Sequence, residues 1–162
     1  MGQDANAPYL LRADEGEALW FLGSLVTLKA TGGQTRGQIT VAEFVNPAGF
    51  APPLHRHLAE DELFYVLSGA AEFRCAGRSL HAGAGDFVLL PVGLAHTFLV
   101  GQEEPLRALQ ITTPSGFEDF ADAVGQPALR RELPQPGAVD PGALGHAAQQ
   151  HAIELLGPPP LR

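Results

Sequence analysis

The chain has 162 residues, a formal net charge of −8 and 45% hydrophobic residues. These values are typical of one ordinary domain with its own core, and we predict a single domain over residues 1–162. The ten basic residues are scattered along an acidic chain. Because no basic stripe is expected that could follow a phosphate backbone, nucleic acid is excluded as a predicted partner.

The cysteine content and the N-terminal segment favour a cytoplasmic protein. Cys75 is the only cysteine, which excludes an intramolecular disulfide and a cysteine-based zinc site. The segment MGQDANAPYLLRADEGE has neither a basic leader nor a long apolar run, and no later segment is long enough for a membrane span. We therefore expect a cytoplasmic location and no membrane partner.

Short apolar or alternating runs dominate the chain from Leu19 to Thr112. In chain order they are LWFLGSLVTL, QITVAEFV, ELFYVL, AEFRC, DFVLL, HTFLV and LRALQIT. Turn signals such as TGGQT, NPAG and PVG separate them at intervals typical of strands rather than helices. The pattern predicts an all-β barrel or sandwich over residues 19–112.

Residues 113–162 have a different character. A capping box formed by Ser115 and Glu118 precedes apolar residues at helical spacing, namely Phe117, Phe120, Ala121 and Val124. Half of the fourteen prolines follow Gly125. We predict a short helix and then a proline-rich tail, in which Asp140-Pro141 is a candidate start of a second helix that Gly157 ends.

The segment PPLHRHLAEDE contains candidate metal ligands. In a strand, alternate side chains share a face, so His55 and His57 point the same way, about 7 Å apart along the strand. The nearest acidic candidates are Glu60, Asp61 and Glu62. Glu62 begins the apolar run ELFYVL and is expected at the start of a strand, on its core face. Glu60 and Asp61 are expected in a solvated turn.

A third histidine occupies a similar position later in the chain. His96 opens the apolar run HTFLV, whereas His81 is expected in a polar turn, SLHAGAG, and His146 and His151 lie in the tail. A histidine that begins a core strand is a suitable ligand. The predicted metal site therefore consists of His55, His57, Glu62 and His96.

The chemistry of these ligands limits the choice of ion. Three neutral imidazoles and one carboxylate suit a divalent transition metal ion (Fe, Ni, Mn, Co, Cu or Zn) far better than Mg or Ca, which prefer oxygen ligands. Four protein ligands leave one or two positions open on a metal that accepts five or six. Open positions are typical of a reactive site rather than a structural one.

These residues also fill two spaced motifs. The pattern G-x5-H-x-H-x4-E-x6-G is met by Gly49, His55, His57, Glu62 and Gly69, and G-x5-P-x-G-x2-H by Gly85, Pro91, Gly93 and His96. Both resemble the motifs of the cupin family; only Val100 departs from it, where the broad family pattern has Asn. The resemblance implies a double-stranded β-helix, or jelly-roll barrel, with a metal ion inside its mouth and His55, His57, Glu62 and His96 as the ligands.

A looser resemblance extends into the flanks. The strand from Thr35 to Phe44, TPSGFEDF at 113–120 and IELLGPPP at 153–160 are similar to bacterial single-domain cupins that resemble quercetin dioxygenase. This resemblance implies a dioxygenase that acts with O₂ on a flavonol-like or other enol-type aromatic small molecule. Small cupins of this kind often pair through sheet edges, and we expect a homodimer.

Within this hypothesis, Glu62 serves both as a ligand and as the catalytic base that removes the hydroxyl proton of the substrate. Phe64, Val66 and Phe98 share faces with the ligands and are candidate pocket residues.

Two alternative functions stay open on the sequence. One is a non-redox metal-dependent isomerase or lyase, which would turn over without O₂. The other is a small-molecule-binding cupin without catalysis.

Overall fold

The computed structural model describes residues 7–160. Six residues at the start and two at the end of the predicted domain lie outside the described residues, as does the beginning of the segment from which a leader was predicted to be absent. None of the helices in the described part is long and apolar enough to cross a membrane.

The described residues form twelve strands and three short helices. In chain order these are β1 Glu17–Phe21, β2 Ser24–Ala30, α1 Gly32–Thr35, β3 Thr40–Asn46, β4 Leu54–His57, β5 Asp61–Ser68, β6 Ala70–Cys75, β7 Arg78–Gly83, β8 Phe87–Leu90, β9 His96–Val100, β10 Leu106–Thr113, α2 Phe117–Val124, β11 Gln126–Pro127, α3 Pro141–Gln150 and β12 Ile153–Gly157.

The strands form two antiparallel sheets that face each other. The seven-stranded sheet has the order β11-β1-β2-β3-β10-β5-β8, and the five-stranded sheet has the order β12-β4-β9-β6-β7. Inward and outward residues alternate along the strands, as in β3, where every second side chain is buried. The predicted all-β jelly-roll architecture with a short C-terminal helix is confirmed.

Two core clusters fill the space between the sheets. One surrounds Phe21 and Phe44 and includes Phe117 and Phe120 from α2. The other surrounds Phe64, Phe73 and Phe98. The Phe21 ring meets Phe44, Phe117 and Phe120 edge to face, a favoured aromatic geometry, and its centroid is 5.5 Å from that of Phe120. The C-terminal helix is therefore part of the barrel core rather than an appendage.

Three segments differ from the sequence-based expectation. The segment with His81, predicted as a polar turn, is strand β7. Most of its side chains are exposed, so its sequence lacks the apolar alternation by which a strand is recognised. Helix α3 begins where predicted, with the Asp140 carboxylate accepting a hydrogen bond from the Gly142 N–H at 2.9 Å, but it ends at Gln150. The predicted helical segment up to Gly157 instead forms β12, which pairs with β4.

Apolar side chains are exposed at one edge of the seven-stranded sheet. Phe87 and Leu89 on edge strand β8 are 58% and 48% exposed, and Tyr65 on the neighbouring β5 is 43% exposed. Uncovered edges with apolar side chains are sites at which chains can associate. The homodimer nevertheless stays a prediction.

Glu118 joins helix α2 to the barrel. The predicted capping box is wrong, because Gly116 rather than Ser115 is the N-cap residue and no side chain caps the helix. The buried Glu118 carboxylate instead accepts hydrogen bonds from the Gly32 N–H at 2.6 Å, the Thr40 hydroxyl and the Gly116 N–H at 2.9 Å. Burial opposes ionisation, but these donors outweigh it and hold the pKa of Glu118 below its ordinary value.

We expect Glu118→Gln to destabilise the protein by about 1–3 kcal/mol near neutral pH, because an amide cannot accept all of these hydrogen bonds. A carboxyl group with a depressed pKa stabilises the fold above its unfolded-state pKa, and this contribution is lost as the pH falls through its folded-state pKa. The difference between wild type and variant should therefore shrink below pH 4.5, the ordinary value. Urea unfolding across pH measures it.

The exposed neighbour Asp119 provides the control for this experiment. Asp119→Asn should change the free energy of unfolding by less than about 0.5 kcal/mol. An equal effect of the two substitutions, or a difference for Glu118→Gln that does not depend on pH, would contradict the role assigned to Glu118.

Candidate metal centre

The two sheets bring four candidate ligands together. His55 and His57 lie on the same face of β4, and His55 is directly opposite His96 on β9 of the same sheet. Glu62 projects from β5 of the facing sheet. The strand periodicity that places both β4 histidines on one face therefore also directs them towards the carboxylate across the barrel.

The ligand atoms of these four residues lie within 4.8 Å of one another. His96 Nε2 is 2.8 Å from Glu62 Oε2, and His57 Nε2 is 3.6 Å from the same oxygen. His57, Glu62 and His96 are buried, and His55 is partly buried. His81, His146 and His151 are not part of this cluster.

Hydrogen bonds donated by Nδ1 orient each of the three imidazoles. The Nδ1 atoms lie 2.7 Å from the Pro53 carbonyl oxygen for His55, 2.7 Å from Glu60 Oε1 for His57 and 3.0 Å from the Leu94 carbonyl oxygen for His96. These oxygens only accept hydrogen bonds, so each Nδ1 carries a proton and donates it. In the neutral imidazoles the lone pair is then on Nε2, and these Nε2 atoms face Glu62.

This arrangement fits a bound cation. Lone pairs of three Nε2 atoms and a carboxylate would repel one another in a site of low dielectric constant, and a divalent ion between them removes the repulsion. Burial lowers the pKa of His55 to about 4, which keeps this ligand neutral near neutral pH. Burial raises the pKa of Glu62, but without an ion the positive charge of a protonated His57 and a hydrogen bond from His96 outweigh it and hold that pKa well below its usual range. The carboxylate therefore favours positive charge beside it, which a divalent ion would supply.

The structure adds two residues that the sequence analysis did not assign to the site. Gln110 on β10 donates a hydrogen bond from Nε2 to Glu62 Oε1, which leaves Oε2 facing the histidines. The expectation of a solvated Glu60 is wrong, because Glu60 is only 7% exposed and binds His57. Asp61 is half-buried and accepts a hydrogen bond from the Val92 N–H at 2.8 Å.

Beside the ligands lies a cavity of about 70 Å³ with a mainly aromatic wall. Its wall includes three of the ligands and Gln110. Seven phenylalanines also line it, namely Phe21, Phe44, Phe50, Phe64, Phe98, Phe117 and Phe120; the three ligands are His55, His57 and Glu62. Of the three candidate pocket residues, Phe64 and Phe98 therefore lie on the wall. Val66 is not among the lining residues and packs inside the second core cluster.

C-terminal residues close one side of this cavity. Leu144 of α3 and Ile153 and Leu155 of β12 line it beside α2. The volume is sufficient for about two water molecules, each of which occupies about 30 Å³. A larger groove of about 520 Å³ lies between Trp20, the end of α2 and α3, but none of the four ligands lines it.

A family model described as a cupin domain matches residues 43–112, which include all four ligands. The match shows a cupin domain over residues 43–112 of this chain. The matched segment contains strands β4 to β9 and β10 up to Thr112, so the family match and the metal-site geometry concern the same part of the barrel.

Curated proteins similar to this chain include two dioxygenases. The chain is 29% identical over 124 residues to quercetin 2,3-dioxygenase of Bacillus subtilis (strain 168), a match that covers 76% of this chain and 36% of that protein. It is 37% identical over 60 residues to acireductone dioxygenase of Rhodopseudomonas palustris (strain TIE-1), a match that covers 35% of this chain and 36% of that protein. The chain therefore matches about a third of the length of each relative.

Solved structures support the same fold. An RmlC-like cupin from Shewanella frigidimarina superimposes with a TM-score of 0.59 at 16% sequence identity, covering 70% of this chain and 96% of that chain. At this identity the similarity shows the cupin barrel and carries no information on the reaction.

We expect His96→Ala to lower the bound transition metal from about one ion per chain to well below half, because it removes one ligand and leaves Glu62 without its nearest imidazole. Elemental analysis after metal loading and dialysis measures the change. The matched control is His81→Ala on the exposed face of β7, which should retain the wild-type metal content. Equal metal contents in both variants would show that the ion binds elsewhere.

Proposed function

We propose that this metal-dependent cupin is a dioxygenase that acts on an enol-type small molecule, of which a flavonol-like aromatic is the leading candidate. The observation that carries the proposal is the convergence of three imidazoles and one carboxylate beside an aromatic cavity. The similarity to two dioxygenases, quercetin 2,3-dioxygenase and acireductone dioxygenase, supports the choice of reaction class.

His55, His57, Glu62 and His96 would hold the ion. When bound, a redox-active divalent ion supplies Lewis acidity and a site at which O₂ and an enol oxygen can react together. The three histidines contribute neutral donors and Glu62 one negative charge. An open position on the dication would accept the oxygen of a deprotonated enol.

Glu62 is the candidate base. It is ionised and lines the cavity where a substrate hydroxyl would approach. A bound ion would lower the pKa of that hydroxyl, so that even this weakly basic carboxylate could take its proton. Because Oε2 faces His57 and His96, we assign the arriving proton to Oε1, next to the Gln110 amide. Gln110 therefore holds the carboxylate in place during proton transfer.

Two buried acceptors indicate what else the substrate carries. Gln110 Oε1 and Asn46 Oδ1 have no hydrogen-bond partner among the described residues, and both side chains line the cavity. A buried acceptor without a donor costs about 1–3 kcal/mol. A substrate with hydroxyl donors in addition to the enol would satisfy these acceptors, whereas the phenylalanines would contact its ring and exclude water.

The size of the cavity requires movement on binding. About 70 Å³ is less than the roughly 150 Å³ in which an engineered protein cavity binds benzene. The side chains that α2, α3 and β12 contribute to the wall, among them Phe120, Leu144 and Leu155, would therefore move outwards to admit an aromatic substrate.

Oxygen uptake tests the proposal. Protein loaded in turn with Fe, Mn, Co, Ni, Cu or Zn should consume O₂ in the presence of a flavonol or a smaller hydroxylated enol, with at least one of the redox-active ions. Glu62→Gln should lower turnover per bound ion by about 100-fold or more. The control Glu43→Gln changes a carboxylate that pairs with Arg107, outside the ligand cluster, and should retain activity.

Two outcomes would contradict a dioxygenase. Turnover that proceeds equally without O₂ would indicate an isomerase or lyase. Tight binding of the same ligands without any turnover, in every metal form, would indicate a binding protein.

Asn46→Leu tests the predicted substrate hydroxyl. We expect KM for a substrate with a hydroxyl that donates to Asn46 to rise about tenfold, which corresponds to about 1.4 kcal/mol. KM for an analogue that lacks this hydroxyl should change little. Steady-state kinetics with the two substrates measures the difference. An equal change in KM for both would show that Asn46 acts only through packing.

A further inference from the structure

We infer that Glu60 is a positioning residue of the metal centre, which fixes the orientation of His57 and balances the charge of the bound ion. The inference concerns metal binding and holds whether or not the proposed oxygenation is correct. It assigns a role to a residue that the ligand motif does not contain.

The geometry distinguishes His57 from the other two histidines. His57 Nδ1 lies 2.7 Å from Glu60 Oε1, whereas the Nδ1 atoms of His55 and His96 face neutral backbone carbonyls. Hydrogen bonds to a carboxylate are stronger than those to a neutral acceptor. A carboxylate on Nδ1 also makes Nε2 a better electron donor to a metal ion. His57 is therefore the strongest imidazole ligand of the three.

The position of Glu60 shows that it is enclosed by the fold. Glu60 lies between β4 and β5 and is only 7% exposed, and His57 is 2% exposed. A Cβ atom added to Gly116, at the start of α2, would lie 3.6 Å from Glu60 Oε2. The chain leading into α2 thus covers the carboxylate, and solvent screening of its charge is weak.

The negative charge of Glu60 also changes the net charge of the loaded metal centre. A divalent ion bound by three neutral imidazoles and Glu62 alone would leave one net positive charge in a buried site. With Glu60 the two carboxylates supply two negative charges and the centre becomes neutral. Because buried net charge is costly, Glu60 should strengthen the binding of the dication and weaken the binding of an additional anion to it.

Glu60→Gln tests both consequences, since the amide has nearly the same shape but no charge. With Co²⁺ as the probe, we expect the dissociation constant, measured by competition with a chelator, to rise about 10–100-fold. Azide added to the Co²⁺-loaded variant should bind at least about threefold more tightly than to wild type, as followed by the visible spectrum. A structural defect would not move the two affinities in opposite directions.

Two further variants complete the experiment. Glu103→Gln, in the exposed β9–β10 turn, is the control and should leave both affinities unchanged. Glu60→Asp keeps the charge but shortens the side chain; it should weaken Co²⁺ binding and retain wild-type azide affinity within about twofold. This variant also serves if Glu60→Gln does not fold.

Unchanged Co²⁺ affinity in Glu60→Gln, or in Glu60→Asp if only that variant folds, would overturn the inference. Weaker Co²⁺ binding together with weaker azide binding would overturn the charge-balance role. None of these measurements uses substrate or O₂. A failed oxygenation assay therefore leaves the inference on Glu60 intact, and a failed Glu60 test leaves the proposed reaction intact.

Discussion

A buried carboxylate that faces three imidazole nitrogens is the constraint on which the rest of this structure depends. Glu62 is 4% exposed, and the Nε2 atoms of His57 and His96 lie 3.6 and 2.8 Å from its Oε2. The Nδ1 atom of each ring donates a hydrogen bond to a backbone carbonyl or to Glu60. Electron pairs concentrated in this way need positive charge between them, which shared protons supply when no ion is bound and a divalent ion would supply when one is. The barrel provides the rigid support.

The two-sheet architecture explains why the ligands meet. The histidines come from the five-stranded sheet, whereas Glu62 and Gln110 come from the seven-stranded sheet, so the packing of the sheets sets the size of the site. Helix α2 closes the centre, with Phe117 on the cavity wall and its N-terminal segment over Glu60. A change in the C-terminal segment can therefore alter the metal centre without touching a ligand.

Strand periodicity made much of the site predictable. Alternation places His55 and His57 on one face, and the apolar runs after Glu62 and His96 place both at the start of core strands. Glu60 was missed because its burial depends on a segment more than 50 residues later in the chain. Gln110 left a signal, as a polar residue at an inward position of the apolar run LRALQIT. Strand β12 was missed because it is a short, late segment whose partner, β4, lies about 100 residues earlier.

The most direct test of the central claim is a crystal structure of Co²⁺-loaded protein with anomalous diffraction data at the cobalt edge. The structure predicts one strong anomalous peak between the two sheets, in contact with Nε2 of His55, His57 and His96 and with Glu62 Oε2. Coordination through an Nδ1 atom, a peak bound by other residues, or no peak between these four side chains in fully loaded protein would contradict it.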